Sequence, residues 1–380
     1  MLTRSKVQGM VVGGAIGDAA GKPVETWTPE KILEVHPEGI CVGKYLPPIG
    51  HKWFKEEDHP PGTTTDDTQL GLAVMRGFIE GRQQAALMSS FEEYHHEIAA
   101  KHVEAFEETT DGWGNTTREA VRNICNGSRW ITAGSRLNFG GTGNGVPMKV
   151  SPFAAWYASP QARIFDPTEL HFNQQVVRHS AMTHFTDISA QAALVHVHAV
   201  YHCLFSGVDH YTNESLLDLI TDQVFEWGEE KSRGTGMYYE MSSLRKHPTE
   251  ENDSLEDRMI WLFQNRSRID KMKQSEIRER FGNGSCYVLD SLPFSYAYFL
   301  KSPFTPQSIF DVIEAGGDTD TNAKLVGEMV GALNGIEIFL TEDWKWTCDG
   351  LGQFQELMDA ANLFCDTFGI GDGNDTEDLQ

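Results

Sequence analysis

Apolar residues recur at intervals of three and four positions along most of the chain, which is the spacing of one buried helix face. Runs that alternate apolar and polar residues, as half-buried strands do, are scarce. We therefore predict an all-α fold, and because no internal repeat is visible, a solenoid is not expected. The pattern predicts helices over about residues 5–21, 66–80, 89–108, 118–125, 183–201, 291–300, 305–315 and 320–334.

Glycine spacing indicates close packing of two of these helices. Glycine destabilises an isolated helix by about 1 kcal/mol relative to alanine, so a regular stripe of glycines requires another reason. The last predicted helix carries Gly327 and Gly331, which let a neighbour approach closely. The first predicted helix presents a flat stripe on which another helix can lie, formed by Gly9, Gly13, Gly17 and Gly21.

A tight connection with acidic residues precedes the last predicted helix. Gly316 and Gly317 end the helix before it. Asp318, Asp320 and Thr321 then fall next to the new helix start, where free N–H groups and the helix dipole stabilise anionic side chains. Two carboxylates and a hydroxyl therefore converge at this point. Taken alone, the motif is also explained by a turn residue followed by a helix cap.

A second cluster of the same kind, Thr65-Asp66-Asp67-Thr68, opens the helix predicted from residue 66. Asp66 and Asp67 cannot both cap that helix, and like charges so close raise each other's pKa unless a cation neutralises them. Ligand sets made only of carboxylate and hydroxyl oxygens suit hard ions such as Mg²⁺ or Mn²⁺ rather than Zn²⁺. The four aspartates and the threonine hydroxyls together are enough to hold two such ions.

Other segments carry weaker signals. Glu25, just past the first helix, reads alone as a solvated loop acid. The glycine-rich segment 138–148 has the backbone N–H groups of a phosphate nest, but it lacks the Lys-Ser/Thr of a P-loop. His184 and Asp187 lie at a predicted helix start, where they either cap the helix or face a ligand. Residues 36–61 predict a long ordered loop of the kind that is usually functional.

Composition limits the class of protein. With 380 residues, 40 % of them apolar, a mean hydropathy of −0.38 and no visible linker, we predict one domain over residues 1–370 and an acidic, disordered tail at 371–380. A net charge of −24 argues against nucleic acid or an anionic membrane as partner. Six cysteines without a Cys-x-x-Cys pair predict mostly buried thiols in a reducing compartment. We see no leader segment and no long apolar run, and we expect a cytoplasmic monomer.

Taken in order, these motifs resemble those of the ADP-ribosylglycohydrolase family, which includes the dinitrogenase-reductase-activating glycohydrolases. The resemblance implies a compact orthogonal helical bundle with a binuclear Mg²⁺ or Mn²⁺ site. The segments that carry it are Gly17-Asp18-Ala19-Ala20-Gly21-Lys22-Pro23-Val24-Glu25, Thr65-Asp66-Asp67-Thr68, Gly143-Asn144-Gly145, Thr183-His184, Gly284-Ser285-Cys286-Tyr287-Val288-Leu289-Asp290 and Gly316-Gly317-Asp318-Thr319-Asp320-Thr321-Asn322. The metal ligands that it implies are Thr65, Asp66, Asp67, Asp318, Asp320 and Thr321.

The resemblance also implies an activity, the hydrolytic removal of ADP-ribose from a modified protein side chain. Catalytic roles would fall on Asp318, Glu25 and Asp67, of which Glu25 matches the family's mobile acid that gates the site. Many members have Met-Arg after the glycine-rich loop, whereas Lys149 here keeps the charge but loses the bidentate fork. The residues around ADP-ribose would be Trp113, Gly114, Gly143, Asn144, Gly145, Met148 and His184.

The acceptor of ADP-ribose and the rival functions stay open at the level of sequence. An acidic surface favours a cationic ADP-ribosyl-arginine protein, so the N-glycosidic bond to arginine is our first expectation and the O-glycosidic bond to serine the second. A member that binds ADP-ribose or neutralises a toxin with little turnover is a further alternative. A phosphatase with an aspartyl nucleophile would need its Asp-x-Asp-Thr motif after a buried strand, whereas a helix and Gly316-Gly317 precede the motif here.

Overall fold

A computed structural model describes residues 2–52, 54–84, 91–134, 140–165, 168–222, 244–247 and 253–373. In these ranges the chain forms helices joined by turns and loops, and the extended pairing is limited to two isolated bridges, Gly143 with Tyr287 and Thr186 with Arg245. The predicted all-α fold is confirmed. The helices are α1 (Arg4–Gly21), α2 (Pro29–Val35), α3 (Asp66–Gln84), α4 (Phe91–Glu108), α5 (Asn115–Cys125), α6 (Ser151–Tyr157), α7 (Pro160–Phe165), α8 (Glu169–Thr183), α9 (Asp187–Phe205), α10 (including 213–222), α11 (Leu255–Gln264), α12 (Gln274–Phe281), α13 (Val288–Lys301), α14 (Gln307–Glu314), α15 (Thr319–Asn334), α16 (Lys345–Asp349) and α17 (Phe354–Phe368).

Helix α1 lies directly along α15, and the glycines of the two helices are the contact. A Cβ atom on Gly9 would lie 2.5 Å from the carbonyl oxygen of Gly331, and one on Gly331 would lie 1.8 Å from the carbonyl oxygen of Gly9. Only the absence of both side chains allows the backbones to approach so closely. At the far end of this pair, Thr319 Oγ1 donates a hydrogen bond to the carbonyl oxygen of Gly21 at 2.7 Å. The predicted stripe therefore does receive a helix, and it brings the end of α1 to the start of α15.

One predicted helix end is wrong, and packing explains why. Helix α3 continues through Gly81 to Gln84, although the predicted helix ends at residue 80, just before this glycine. A Cβ atom at Gly81 would lie 2.7 Å from Cδ1 of Tyr94 in α4, so this glycine permits close packing of α3 and α4. Glycine inside a helix and glycine at its end look the same in sequence, and only the neighbouring helix distinguishes them.

The helix predicted over residues 183–201 is in fact the end of one helix and most of the next. Thr183 ends α8, His184 is extended at φ −123° and ψ 97°, and α9 begins at Asp187. His184 therefore does not lie at a helix start. Asp187 does, and its Oδ1 accepts hydrogen bonds from the backbone N–H groups of Ile188 (2.9 Å) and His247 (3.0 Å). Thr186 holds the N-cap position and makes no side-chain cap bond, so Asp187 serves the first turn of α9 by accepting from the free N–H of Ile188.

Helix α9 lies in the core. By length and hydropathy it would be able to cross a membrane, but 78 % of its apolar window is buried inside the protein, as in a core helix. Its polar side chains have buried partners: His196 Nε2 lies 2.9 Å from Glu328 Oε2, and His198 Nε2 lies 2.8 Å from Asn173 Oδ1. Both histidines are thus part of the core packing of α9.

Residues 36–65 form a long loop without a helix in the part that the structure describes, as predicted. The loop packs the buried rings of Tyr45 and Phe54 against the helices. His51 of this loop reaches the segment after α1, because its Nε2 lies 3.1 Å from the carbonyl oxygen of Glu25. The loop therefore lies beside a predicted site residue.

All six cysteines are free thiols. Three are buried (Cys203, Cys348 and Cys365), Cys41 is half-buried, and Cys125 and Cys286 are exposed. The prediction of mostly buried thiols therefore holds for only half of them. Cys286 is exposed because it belongs to the turn that pairs with the glycine-rich loop, where its carbonyl oxygen accepts a hydrogen bond from the backbone N–H of Asn144.

Some predictions fall outside the described residues. These are the first positions of the helix expected over 89–108, the start of the glycine-rich segment at 138–139, and the tail from 374 to 380. The start of the tail is described: the backbone N–H of Arg4 donates to the carbonyl oxygen of Gly371 and its Nε to Asp372 Oδ1, both at 2.9 Å. The boundary at residue 370 and the single domain stay predictions.

Candidate metal centre

The N-termini of α3 and α15 face each other across a buried space. Thr321 Oγ1 donates to Asp67 Oδ2 at 3.3 Å, although these residues are 254 positions apart. Thr65 Oγ1 contacts the same oxygen at 3.4 Å. The structure therefore brings the two acidic motifs together. The residues at these termini are Thr65, Asp66, Asp67, Asp318, Asp320 and Thr321, each at most 8 % exposed.

Asp18, near the end of α1, holds the turn that leads into α3. Its carboxylate accepts hydrogen bonds from the backbone N–H of Thr65 (3.0 Å) and from the N–H (3.1 Å) and hydroxyl (2.6 Å) of Thr68. Asp18 is fully buried and acts as an N-cap supplied by another helix. The sequence motifs assigned no role to Asp18. The feature that could have indicated its role is an aspartate on the otherwise apolar, glycine-rich surface of α1.

Glu25 joins the aspartates from the solvent side. Its carboxylate oxygen and those of Asp318 and Asp320 all lie within 4.8 Å of one another. Two backbone hydrogen bonds fix this arrangement: the Thr26 N–H donates to Gly317 O at 2.6 Å, and the Gly317 N–H donates to Trp27 O at 2.9 Å. The loop that carries Glu25 is therefore tied to the turn that carries Asp318.

Asp318 is held in place by its neighbours. Its backbone N–H donates to Gly284 O at 2.7 Å, and Asn144 Nδ2 donates to its Oδ2 at 2.8 Å. Gly317 has φ +96°, and a Cβ atom there would lie 2.2 Å from the carbonyl oxygen of Asn283, so the turn requires glycine. Asn144 links the glycine-rich loop directly to the acidic centre.

The clustered carboxylates resist ionisation together. Burial, with Asp318 and Asp66 nearby, raises the pKa of Glu25 to about 9. Burial, with Asp18 and Asp318 nearby, raises the pKa of Asp66 to about 7. Burial also raises the pKa of Asp318. Burial together with neighbouring carboxylates holds the pKa values of Asp67 and Asp320 well above their usual range. A bound cation would reverse these shifts because it stabilises the charged forms.

The donor set fits a hard divalent cation. Asp67 Oδ1 is buried and has no hydrogen-bond partner in the part of the chain that the structure describes. A buried carboxylate oxygen without a partner is costly unless a cation binds it. The surrounding groups offer only carboxylate and hydroxyl oxygens, the ligands that Mg²⁺ and Mn²⁺ prefer.

Trp113 and Met148, both expected near ADP-ribose, lie in a small apolar cluster. Trp113 is 3 % exposed and Met148 is 4 % exposed, and the indole Nε1 donates to Gln69 Oε1 at 2.8 Å. The Trp113 ring therefore packs between helices and is no open stacking surface. Gly114, at the N-cap of α5, faces open space, because a Cβ atom there would meet nothing within 4 Å.

His184 and the glycine-rich loop do come together. A Cβ atom on Gly145 would lie 2.9 Å from Cε1 and 3.1 Å from Nε2 of His184, and one on Gly143 would lie 3.9 Å from Nε2. Lys149 lies fully buried beneath this loop, and its Nζ donates to Thr183 Oγ1 at 3.1 Å. Lys149, which stands where many members of the family have arginine, therefore points its side chain into the protein.

Metal binding should change the pH dependence of stability. The raised pKa values mean that the folded, metal-free protein holds protons that the unfolded chain releases above about pH 4. The free energy of unfolding of the metal-free protein therefore falls as the pH rises from about 4 to the raised pKa values, about 7 for Asp66 and about 9 for Glu25. We expect the Tm gained on replacing EDTA with Mg²⁺ or Mn²⁺ to be about 5 °C larger at about pH 8 than at about pH 5. Thermal unfolding at both pH values measures this, and an equal gain would contradict the cation site.

The chain is similar to proteins of one family along nearly its whole length. The sequence matches the model of the ADP-ribosylglycohydrolase family over residues 1–370. ADP-ribosyl-[dinitrogen reductase] glycohydrolase of Rhodospirillum rubrum is 22 % identical over 329 residues, covering 87 % of this chain and 85 % of that protein. ADP-ribosylhydrolase ARH3 of Mus musculus is 23 % identical over 380 residues, covering 93 % of this chain and 90 % of that protein.

A solved structure shares the fold. It is described as an ADP-ribosylglycohydrolase-related protein complex, and it superposes with a TM-score of 0.56 at 18 % identity, covering 96 % of this chain and 98 % of that one. At this identity the likeness speaks to the fold alone. The family match extends over nearly all of the sequence, and on that basis this chain belongs to the ADP-ribosylglycohydrolase family.

Proposed function

We propose that this protein is a divalent-metal-dependent hydrolase that releases ADP-ribose from a modified protein side chain. The observation that carries the proposal is the convergence of two acidic helix N-termini and Glu25 on one buried space. Membership of a hydrolase family supports the reaction class. The partners would be an ADP-ribosylated protein as substrate and free ADP-ribose as product.

Six residues would hold two Mg²⁺ or Mn²⁺ ions in this proposal. When bound, such ions supply a binding point for the ribose hydroxyls and a water of lowered pKa. Asp18 and Asn144 keep the ligands in place, through the turn before α3 and through Asp318 respectively. The proposed ligands are Thr65, Asp66, Asp67, Asp318, Asp320 and Thr321.

Glu25 and Asp318 are the groups proposed to act on the attacking water, Glu25 by taking its proton and Asp318 by positioning it. Glu25 is half-buried at the open side of the cluster, where a carboxylate would accept a proton and return it to solvent. Asp318 is fixed by the Asn144 amide and orients rather than moves. The negative charge of the cluster, including Asp67, would stabilise a transition state with positive charge on the ribose ring.

The acceptor is proposed to be arginine. Both adducts carry the anionic diphosphate, but ADP-ribosyl-arginine also keeps a guanidinium cation, which the net charge of −24 favours over ADP-ribosyl-serine. Charge acts mainly on the rate of encounter, so we expect a preference in kcat/KM of about tenfold rather than an absolute choice.

One assay tests the reaction, the metal and the acceptor together. Purified protein is incubated with ADP-ribosyl-arginine or ADP-ribosyl-serine substrates in Mg²⁺, Mn²⁺ or EDTA, and released ADP-ribose is followed over time. We expect many turnovers per protein with metal, loss of about 100-fold or more in EDTA, and faster release from arginine. Activity unchanged in EDTA would refute the metal role, and faster release from serine would reverse the acceptor. Binding of ADP-ribose without turnover would instead support the non-catalytic alternative.

A further inference from the structure

Three buried polar side chains form a chain of hydrogen bonds beneath the glycine-rich loop. Lys149 Nζ lies 3.1 Å from Thr183 Oγ1, and Thr183 Oγ1 lies 3.0 Å from His184 Nδ1. Lys149 and Thr183 are 0 % exposed and His184 is 3 % exposed. In the described chain, the Thr183 hydroxyl forms hydrogen bonds with Lys149 Nζ and His184 Nδ1.

The donors and acceptors of this chain fit together in one direction. Burial lowers the pKa of Lys149 to about 7, and below that pH its ammonium group can only donate, so the Thr183 oxygen accepts from Lys149 Nζ. The described residues offer the Thr183 hydroxyl proton one acceptor, His184 Nδ1, so the arrangement that leaves no proton unpaired has the hydroxyl donate to Nδ1. In a neutral imidazole the remaining proton is on the other nitrogen, Nε2. Burial lowers the pKa of His184 to about 3, which keeps the ring neutral.

Nε2 of His184 faces the loop that is linked to the acidic centre. Glycines at 143 and 145 leave room for the ring, since a Cβ at Gly145 would lie 3.1 Å from Nε2. Asn144 lies between these glycines and donates to Asp318. Among the described residues Nε2 has no acceptor of its own, so its N–H group is available to a ligand that also reaches the acidic centre.

We propose that Lys149 and Thr183 are positioning residues that keep His184 in the Nε2–H tautomer, so that it donates to an anionic oxygen of a ligand held by the 143–145 loop. The assignment of that oxygen to a phosphate of the ADP-ribosyl group rests on the proposed function. The assignment of the tautomer to His184 does not depend on the proposed function. Lysine after Met148 suffices for this chain of bonds, because a single donation to Thr183 needs no bidentate fork.

Nitrogen NMR of the free protein reads the tautomer directly. In protein labelled with ¹⁵N-histidine, the His184 signals are those lost in His184→Gln. We expect protonated Nε2 and bare Nδ1 in the wild type and in Thr183→Ser and Lys149→Arg, which preserve the donors. Thr183→Val and Lys149→Met should lose this preference. The His198 signals, fixed by Asn173, serve as an internal control for the fold.

Affinity for ADP-ribose is the second readout. One hydrogen bond to a phosphate oxygen corresponds to about a 10- to 100-fold change in Kd, so we expect that loss in Thr183→Val and Lys149→Met. Thr183→Ser should stay within about threefold of the wild type, and kcat at saturating substrate should change little in all four variants. A merely structural role would instead lower kcat and affinity together.

The outcomes separate this inference from the proposed function. A wild-type spectrum with protonated Nδ1, or unchanged affinity in Thr183→Val, would overturn the positioning role. If wild-type protein neither binds nor releases ADP-ribose, the proposed function fails and the phosphate assignment fails with it. The spectrum then decides alone whether Lys149 and Thr183 set the tautomer.

Discussion

We expect Asp67→Asn to lower kcat for ADP-ribose release by about 1,000-fold, or about 4 kcal/mol in the activation free energy. Asp67 lies at the centre of the acidic cluster: its Oδ2 is shared by Thr65 and Thr321, and its Oδ1 is buried without a partner in the described chain. An amide of the same size keeps the shape but removes the charge that a cation needs. Steady-state kinetics with saturating Mn²⁺ measure the loss.

The same substitution should act in the opposite direction on the metal-free protein. Burial and three neighbouring carboxylates, those of Asp18, Asp66 and Asp318, oppose ionisation of Asp67. Asp67→Asn removes this repulsion, so its Tm in EDTA should exceed that of the wild type, while the gain on adding Mn²⁺ should shrink. Asp359→Asn, at an exposed position of α17, is the matched control and should change neither quantity. Activity retained within about tenfold would rule out a central role for Asp67.

Among the glycines that the structure describes, Gly331 offers a new methyl group the least space, so Gly331→Ala should strongly destabilise the fold. The new Cβ would lie 1.8 Å from the carbonyl oxygen and 2.2 Å from the carbonyl carbon of Gly9, and backbone atoms cannot swing away as a side chain does. We expect a loss of about 3 kcal/mol in the free energy of unfolding as α1 and α15 are forced apart. Activity should also fall, because α15 carries Asp320. Denaturant unfolding followed by circular dichroism measures the stability.

Gly71→Ala is the control for that experiment. Gly71 also lies inside a long helix, but a Cβ there would come no closer than 3.6 Å, to Lys324 Nζ. Because alanine favours helix by about 1 kcal/mol over glycine, this variant should be as stable as the wild type or more so. An equal loss in both variants would show that helix packing is not the reason for Gly331.

The two acidic motifs were readable from sequence because a helix start is a local feature. Asp66 and Asp320 each stand beside hydroxyl residues at the head of an apolar run, and both lie where the pattern placed them. Helix ends were read less well. The predicted helix end before Gly81 and the predicted helix start at residue 183 are both wrong. Sequence does not distinguish a glycine at a helix–helix contact from a glycine that ends a helix, nor the last turn of α8 from the first turn of another helix.

Sequence also does not show which residues of the predicted substrate site are buried. Trp113 was expected near ADP-ribose, but its ring is buried against Met148 and the residues around it. Its contact with substrate stays a prediction, as does that of Gly114. Sequence shows that Lys149 keeps the positive charge, but not that its side chain is fully buried with its Nζ donating to Thr183.

The sequence by itself determined the helical class, the apolar face of each long helix and the oxygen-rich character of two helix starts, because these depend on residues within a few turns of each other. Tertiary structure alone decided which surfaces meet. It pairs the glycines of α1 with those of α15, inserts Asp18 into the turn before α3, and sets Thr321 against Asp67. The physical reason is that periodicity defines a face that must be buried, while the choice of partner is made by the packing of the whole set of helices.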